Sequence, residues 1–331
     1  MASFISRSVT VSIATHDIGG CAEQQDTGFS MRLKSSTGRS ATIAAVFDGH
    51  GRERGATMSR MTSIVFQREL GQEKWLDQFL LTPEDVGRSL FAKASEKAFQ
   101  FNKERLRSLD IPFSIENGFL VTDRLEQVNG GSTATLVIVI DDGTVHCFNV
   151  GDSDAWMSSP NGCEQLHTDH APDNQAEYER IMAVSPDSKI EFDYSFGCGR
   201  PRRDDGDHVF PSRPDFRGYY SKNVRGDMAV LLRVNTFRLA MTRSIGDEPL
   251  RPGGISAEPS YKCVSAKGPA VIRIASDGFW DNLTKDDIAF VPGQVDANAL
   301  NESWFQETEA KARKYFRQSR DNMWGYTIVI Q

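Results

Sequence analysis

The stretch ATIAAVFDGHG at residues 41–51 carries a continuous apolar run directly into an Asp-Gly pair. Such a run is typical of a strand that is buried on both faces. A second stretch, RIASDGFWD at residues 273–281, also leads an apolar run into Asp-Gly. A carboxylate at the end of a buried strand costs free energy unless a positive charge meets it. A hard cation with oxygen ligands would supply that charge, and glycine would let a backbone carbonyl approach the same ion.

A single Asp-Gly pair is more often only a turn. Asp142-Gly143 is such a case, because it joins two predicted strands as a hairpin. Asp152 and Asp321, however, also lie beside predicted strands. Together with Asp48 and Asp277, they make four aspartates at strand ends. This number favours a shared acidic pocket. No Cys or His spacing typical of zinc competes, so the pattern indicates magnesium or manganese.

The overall composition excludes several classes of protein. The 331 residues include 38 Lys and Arg against 45 Asp and Glu, so the net charge of −7 argues against a protein that coats nucleic acid. The longest apolar run, ending at Ile140, is too short to span a membrane, and no signal peptide is visible. Five scattered cysteines indicate neither a disulfide framework nor a zinc site. We therefore expect an intracellular protein that binds neither nucleic acid nor membrane.

The predicted elements have strands at both ends of the chain and helices between them. Strands are predicted at residues 9–14 and 326–330, so the C-terminus should return to a sheet begun near the N-terminus. Residues 185–232 show no clear period but contain seven aromatic residues. A disordered linker would be poor in aromatics. We predict that this segment is a folded excursion that packs on the main body.

Ten short motifs occur in the order found in one enzyme family. The chain resembles the metal-dependent serine/threonine protein phosphatases of the type 2C class in VFDGHG at 46–51, GSTA at 131–134, NVGDS at 149–153, DHAP at 169–172, ERI at 179–181, RVN at 233–235, LAMTRSIGD at 239–247, AEP at 257–259, ASDGFWD at 275–281 and DNM at 321–323. The resemblance implies one catalytic domain over residues 1–331. It also implies an α+β fold, in which a central sandwich of two antiparallel β-sheets is flanked by α-helices. Residues 185–232 would be an enlarged flap insertion.

The resemblance also implies the chemistry of the site. It implies hydrolysis of phosphoserine and phosphothreonine in phosphoprotein substrates by a water that bridges two Mg²⁺ or Mn²⁺ ions, with a third ion more weakly bound. His50 would be the general acid. The metal ligands carried over from the family are Asp48, Gly49, Asp277 and Asp321 for the two ions, and Asp152 for the third. We expect a monomer.

Two positions depart from the family pattern. Gln25 stands where the family usually has a metal-binding glutamate, and Cys21 stands where it usually has a phosphate-binding arginine. A neutral amide is a poorer partner for a divalent cation than a carboxylate, and a thiol cannot replace the two hydrogen bonds of a guanidinium. Arg52, with Arg54, is the candidate to bind substrate phosphate instead. These departures leave open a pseudophosphatase that serves as a binding module, and an enlarged flap leaves open a hydrolase for a small phosphoester.

Overall fold

The apolar run at residues 41–47 forms the strand Ser40–Phe47, in which every residue after Ser40 is buried. This strand lies inside a five-stranded antiparallel sheet, here called sheet B. The computed structural model describes residues 7–51, 54–116, 119–124, 127–128, 130–186, 189–192, 202–203, 219–220, 230–234, 237–284, 287, 296–316 and 320–331. The strands of sheet B are, in spatial order, Ser260–Ser265, Thr144–Val150, Ala134–Ile140, Ser40–Phe47 and Thr27–Lys34. The predicted hairpin at Asp142-Gly143 is confirmed, since Gly143 adopts a φ of 87° between two paired strands.

A second antiparallel sheet, sheet A, contains both ends of the described chain. Its strands are, in spatial order, Val9–Val11, Met323–Ile330, Ala270–Ala275, Asp154–Ser159 and Gly162–Gln165, with Thr15–Asp17 also paired to Met323–Ile330. Val9 lies opposite Ile330, so the predicted return of the C-terminus to the first strand is confirmed. The predicted strand at residues 9–14 is interrupted because the Ser12 hydroxyl accepts the backbone N–H of Thr327 at 2.8 Å.

Apolar side chains between the two sheets form the centre of the sandwich. Val46 and Val137 of sheet B belong to the same buried cluster as Ile274 and Ile328 of sheet A. Within the described part of the chain, five helices cover the outer faces of the sandwich. Beside sheet B lie α1 Gly55–Leu70, α2 Trp75–Leu81 and α3 Pro83–Ser108, and beside sheet A lie α5 Asp277–Trp280 and α6 Ala297–Tyr315. Helix α4, Gln175–Val184, packs on neither sheet. The predicted α+β sandwich with flanking helices is therefore confirmed.

Aromatic contacts attach the helices to the sheets. The Phe66 ring of α1 packs edge-on against Phe47 of sheet B, with ring centroids 5.1 Å apart. On the other face, Phe279 of α5 stacks on Trp304 of α6 at 4.6 Å, and both belong to a buried cluster with Ala275 and Met323 of sheet A. Among the described residues, no helix is both long enough and apolar enough to cross a membrane.

Small sheets complete the described structure. One joins Gly49–His50, Gly131–Ser132 and Ile245–Gly246 at an end of the sandwich. The others comprise Phe113–Glu116 with Phe119–Thr122 and Gln127–Val128, Lys189–Phe192 with Val230–Val234 and Phe237–Leu239, and Arg202–Arg203 with Tyr219–Tyr220; a 3-10 helix spans Glu248–Gly253. Most of the segment 185–232 lies outside the described residues, and so does the predicted packing of its aromatic side chains.

A buried carboxylate ties α4 to the chain that follows this segment. Glu177 is 3% exposed and accepts hydrogen bonds from Arg243 at 2.6 Å, Arg180 at 2.8 Å and Thr242 at 2.6 Å. Burial favours the neutral acid, but these three donors outweigh it and lower the pKa of Glu177 to about 2. The segment at residues 242–243 is thereby fixed against the body of the protein.

We expect Glu177→Gln to destabilise the fold most at neutral pH. A carboxyl group whose folded-state pKa lies below its ordinary value, here 4.5, stabilises the fold above that value and loses the contribution as the pH falls. The loss in the free energy of unfolding should therefore be constant above about pH 5 and shrink toward about pH 2. Urea denaturation at several pH values measures it.

Glu179→Gln, on the exposed side of the same helix, is the matched control and should change stability by no more than about 0.5 kcal/mol. A stability loss for Glu177→Gln that stays the same from neutral to strongly acidic pH would contradict the role of this carboxylate.

Candidate active site

Antiparallel pairing determines which strand ends meet. In sheet B, Thr135 pairs with both Val46 and Asn149, so two strands finish at the same end of the sheet. In sheet A, Ala275 pairs with Gly325 at the start of the last strand. The residues that follow or precede these ends are the aspartates predicted from the sequence, namely Asp48, Asp152, Asp277 and Asp321.

The electrostatics of Asp48 show that these carboxylates lie near one another. Burial, together with the negative charges of four neighbours, holds the pKa of Asp48 well above its ordinary range. The neighbours, in order of effect, are Asp26, Asp277, Asp321 and Asp152. The fold thus concentrates negative charge from five distant parts of the sequence, and protonation of Asp48 or binding of a cation would relieve the repulsion.

Asp26 is a member of this cluster for which no role is predicted from the sequence. It is 3% exposed, and its Oδ2 atom has no hydrogen-bond partner among the described residues. Burial raises the pKa of Asp26 to about 7, and the negative charge of Asp321 adds to this increase. A hydrogen bond from Ser276 acts in the opposite direction but does not outweigh them. The available signal was its place immediately before the strand Thr27–Lys34, at the same end of sheet B as Asp48.

Gly49 and Gln25 lie side by side, as the predicted second metal site requires. The Gly49 N–H donates to the Gln25 carbonyl at 3.2 Å. A Cβ on Gly49 would lie 2.0 Å from the Gly55 carbonyl oxygen, so only glycine fits there. A Cβ on Gly55 would lie 2.8 Å from Oε1 of Gln25, which places the side-chain amide of Gln25 at this point. A neutral oxygen therefore stands in the position assigned to a carboxylate.

Cys21 lies beside another predicted ligand. Its Sγ atom is 3.8 Å from Oδ1 of Asp321. Partial burial of the thiol, with the charge of Asp321, raises the pKa of Cys21 to about 11. The thiol is therefore neutral near physiological pH and brings no positive charge to the site. Arg52, the residue predicted to bind substrate phosphate, lies outside the described residues.

His50 is held by a carboxylate that sequence reasoning did not single out. Its Nε2 atom is 2.6 Å from Oδ2 of Asp247, which is 1% exposed. Burial disfavours the imidazolium, but the charge and hydrogen bond of Asp247 outweigh burial and raise the pKa of His50. Burial likewise favours neutral Asp247, but the charge of His50 and the hydrogen bonds from His50 and Ser244 lower the pKa of Asp247.

The oxygen-only donor set of the cluster fits a hard divalent cation. Buried carboxylates and a backbone carbonyl are the ligands that Mg²⁺ and Mn²⁺ prefer. The uncompensated oxygen of Asp26 and the raised pKa of Asp48 are the observations that favour a cation here. Within the described ranges, no three His, Cys, Asp or Glu side chains are close enough to form a ready-made metal site. The carboxylates act on one another through their charges without converging on one point.

Comparisons with known proteins identify the family to which the chain belongs. The family model "Protein phosphatase 2C" matches residues 20–187 and 220–316. The chain is 24% identical over 310 residues to "Probable protein phosphatase 2C 11" of Arabidopsis thaliana, covering 92% of this chain and 64% of the relative. It is 28% identical over 266 residues to "Probable protein phosphatase 2C 43" of Oryza sativa subsp. japonica, covering 75% and 56%. The chain thus spans little more than half the length of these curated relatives.

Solved structures share the fold. The serine-threonine phosphatase 2C from Toxoplasma gondii has a TM-score of 0.62 and 17% identity, with 100% of this chain and 96% of that chain covered. A bacterial serine phosphatase has a TM-score of 0.57 and 14% identity, with 98% of each chain covered. At these identities the likeness concerns the fold alone. Because the family model matches most of its length, the chain belongs to the protein phosphatase 2C family.

Proposed function

We propose that this chain is a metal-dependent phosphatase that removes phosphate from phosphoserine and phosphothreonine in proteins. The observation that carries the proposal is the concentration of negative charge around Asp48, to which four other carboxylates contribute. This cluster lies near a histidine with a carboxylate partner, because the charge of Asp152 acts on both Asp48 and His50. Phosphoryl transfer to water requires a cation to stabilise the negative charge and a proton donor for the leaving group, and this arrangement provides candidates for both.

The metal ligands are assigned as the family resemblance implies, at positions that the fold brings to one end of the sandwich. Asp48 would contact two Mg²⁺ or Mn²⁺ ions, the Gly49 carbonyl one of them, and Asp277 and Asp321 the other. Asp152 would hold a third, weaker ion. When bound, such cations make water a stronger nucleophile at neutral pH and neutralise charge on the phosphoryl oxygens.

The chain's own residues supply the remaining steps. Water displaces the serine or threonine oxygen from phosphorus, so the P–O bond to the side chain breaks and inorganic phosphate forms. The departing oxygen carries the electron pair of that bond and needs a proton, because an alkoxide is a poor leaving group. His50 would donate this proton and return to its neutral form.

The alternative of an inactive binding module rests on Cys21 and Gln25 alone, and no comparison with known proteins favours it. Cys21 and Gln25 weaken two contacts of the proposed site, but Asp48, His50 and Asp277 are all present. A hydrolase for small phosphoesters is distinguished by comparing p-nitrophenyl phosphate with a phosphothreonine peptide, since a protein phosphatase should turn over both.

We predict that activity depends on added divalent metal and that Asp277→Asn reduces it to background. Removing one carboxylate from a shared cation site leaves the cation weakly held. The measurement is turnover of both substrates with manganese, magnesium or EDTA. Asp141→Asn is the matched control, because Asp141 pairs with Arg39 at the opposite end of sheet B, and it should retain full activity. Undiminished turnover in EDTA would contradict the metal-dependent mechanism.

Gln25→Glu should tighten manganese binding by about tenfold, which corresponds to roughly 1.4 kcal/mol. The substitution adds a full negative charge where Gln25 presents a neutral oxygen beside Gly49 and Gly55. Titration calorimetry measures the affinity without reference to activity. Gln67→Glu is the control, because the exposed Gln67 side chain on α1 donates instead to the Ser63 hydroxyl. An unchanged manganese affinity in Gln25→Glu would show that this residue does not face the metal.

Cys21→Arg should lower the KM for a phosphothreonine peptide without raising kcat. A guanidinium can form two charge-assisted hydrogen bonds to phosphate, which a neutral thiol cannot. If Arg52 already performs this role, Cys21→Arg will have little effect and Arg52→Ala will raise KM. Steady-state kinetics of both variants decide between the two residues, and an unchanged KM in both would exclude them from phosphate binding.

A further inference from the structure

Asp247 makes a contact that the proposed catalytic steps do not explain. Its Oδ2 atom lies 2.6 Å from Nε2 of His50, although the two residues are 197 positions apart in sequence. We infer that Asp247 is a positioning residue: it holds His50 by Nε2, so that Nδ1 is the atom that gives its proton to the leaving oxygen. This inference rests on the proposed function, because it assigns a partner to the proposed general acid.

A three-stranded sheet of two-residue strands sets the distance between the two side chains. Gly131 is paired with His50 on one side and with Gly246 on the other. The residue after Gly246 is Asp247, so the central strand separates the two partners by a fixed width. A Cβ on Gly131 would lie 2.2 Å from Oδ2 of Asp247 and 2.6 Å from Nε2 of His50. The contact between His50 and Asp247 therefore occupies the space beside the Gly131 Cα atom, so that no residue larger than glycine fits at this position.

The backbone at Asp247 is held in an unusual conformation. Its φ is 53°, in the left-handed region that non-glycine residues seldom adopt. Arg251 donates to the carbonyls of Gly246 at 2.6 Å and Ser244 at 3.1 Å, and the Leu250 N–H donates to the Asp247 carbonyl at 2.8 Å. A left-handed residue persists only where its surroundings fix it, and such positions cluster at functional sites.

The carboxylate of Asp247 is also fixed at its own end. The Ser244 hydroxyl donates to Oδ2 at 2.7 Å, and the side chain is buried from solvent. With Oδ2 bound by two donors, the carboxylate can rotate little about its last bond. His50 then receives a hydrogen-bond acceptor in one defined place, which selects the imidazole orientation in which Nε2 carries a proton.

The other nitrogen of His50 is left for the reaction. Nδ1 is buried and has no hydrogen-bond partner among the described residues. Asp152, a predicted metal ligand, acts on His50 through its charge, which places the imidazole on the side of the acidic cluster. As the P–O bond breaks, the Nδ1 proton passes to the leaving oxygen, and His50 remains as the neutral Nε2–H tautomer bound to Asp247.

The dependence on the leaving group tests this assignment. p-Nitrophenolate leaves without a proton, whereas the threonine oxygen needs one, so only the peptide reaction uses the acid. We expect Asp247→Asn to lower kcat for a phosphothreonine peptide by about 100-fold and kcat for p-nitrophenyl phosphate by less than about threefold, with both KM values unchanged. Ser244→Ala should show the same selectivity to a smaller extent, and Asp141→Asn should show none.

Equal losses on the two substrates, or no loss on the peptide, would overturn the positioning role while leaving phosphatase activity established. Absence of turnover in the wild type with manganese would instead overturn the proposed function. The inference then still has an independent test, because ¹⁵N spectra of labelled histidine report the tautomer. Wild-type His50 should be protonated at Nε2, and Asp247→Asn should change that signal. A His50 signal that is the same in both proteins would overturn the inference.

Discussion

Mutual repulsion among five carboxylates at one end of the sandwich is the physical fact that governs the other features of this protein. Asp48 is surrounded by the charges of Asp26, Asp152, Asp277 and Asp321, and its pKa is raised accordingly. Like charges at such an end of a sandwich destabilise the fold unless a proton or a cation compensates them. An arrangement that costs stability without binding something has no evident structural purpose. We therefore propose that this cluster is the catalytic centre of the protein.

The sandwich supplies the rigidity that this cluster needs. The strands that end at the cluster are fully paired and nearly all buried. The buried clusters around Phe66 and Phe279 attach the helices to the two sheets. Repulsion between carboxylates cannot then be relieved by local unfolding without disrupting the core. Glu177 performs a related task outside the sandwich, since its three donors anchor the chain a few residues before Asp247.

The site residues that could be predicted from the sequence are those that directly follow a recognisable apolar strand. Asp48 and Asp277 follow apolar runs, and the pairing of strands then determines that they meet. Asp247 carries no such signal, because its role depends on a left-handed turn and on strands of two residues, which have no measurable period. Arg52 and the flap remain predictions.

Crystals grown with manganese would show whether cations bind at this cluster of carboxylates. An anomalous difference map recorded at the manganese absorption edge locates the ions independently of any activity. The account predicts peaks within coordination distance of the carboxylates of Asp48, Asp277 and Asp321 and near the Gly49 carbonyl. Well-ordered crystals with no peak at this end of the sandwich, or with peaks only elsewhere, would contradict it.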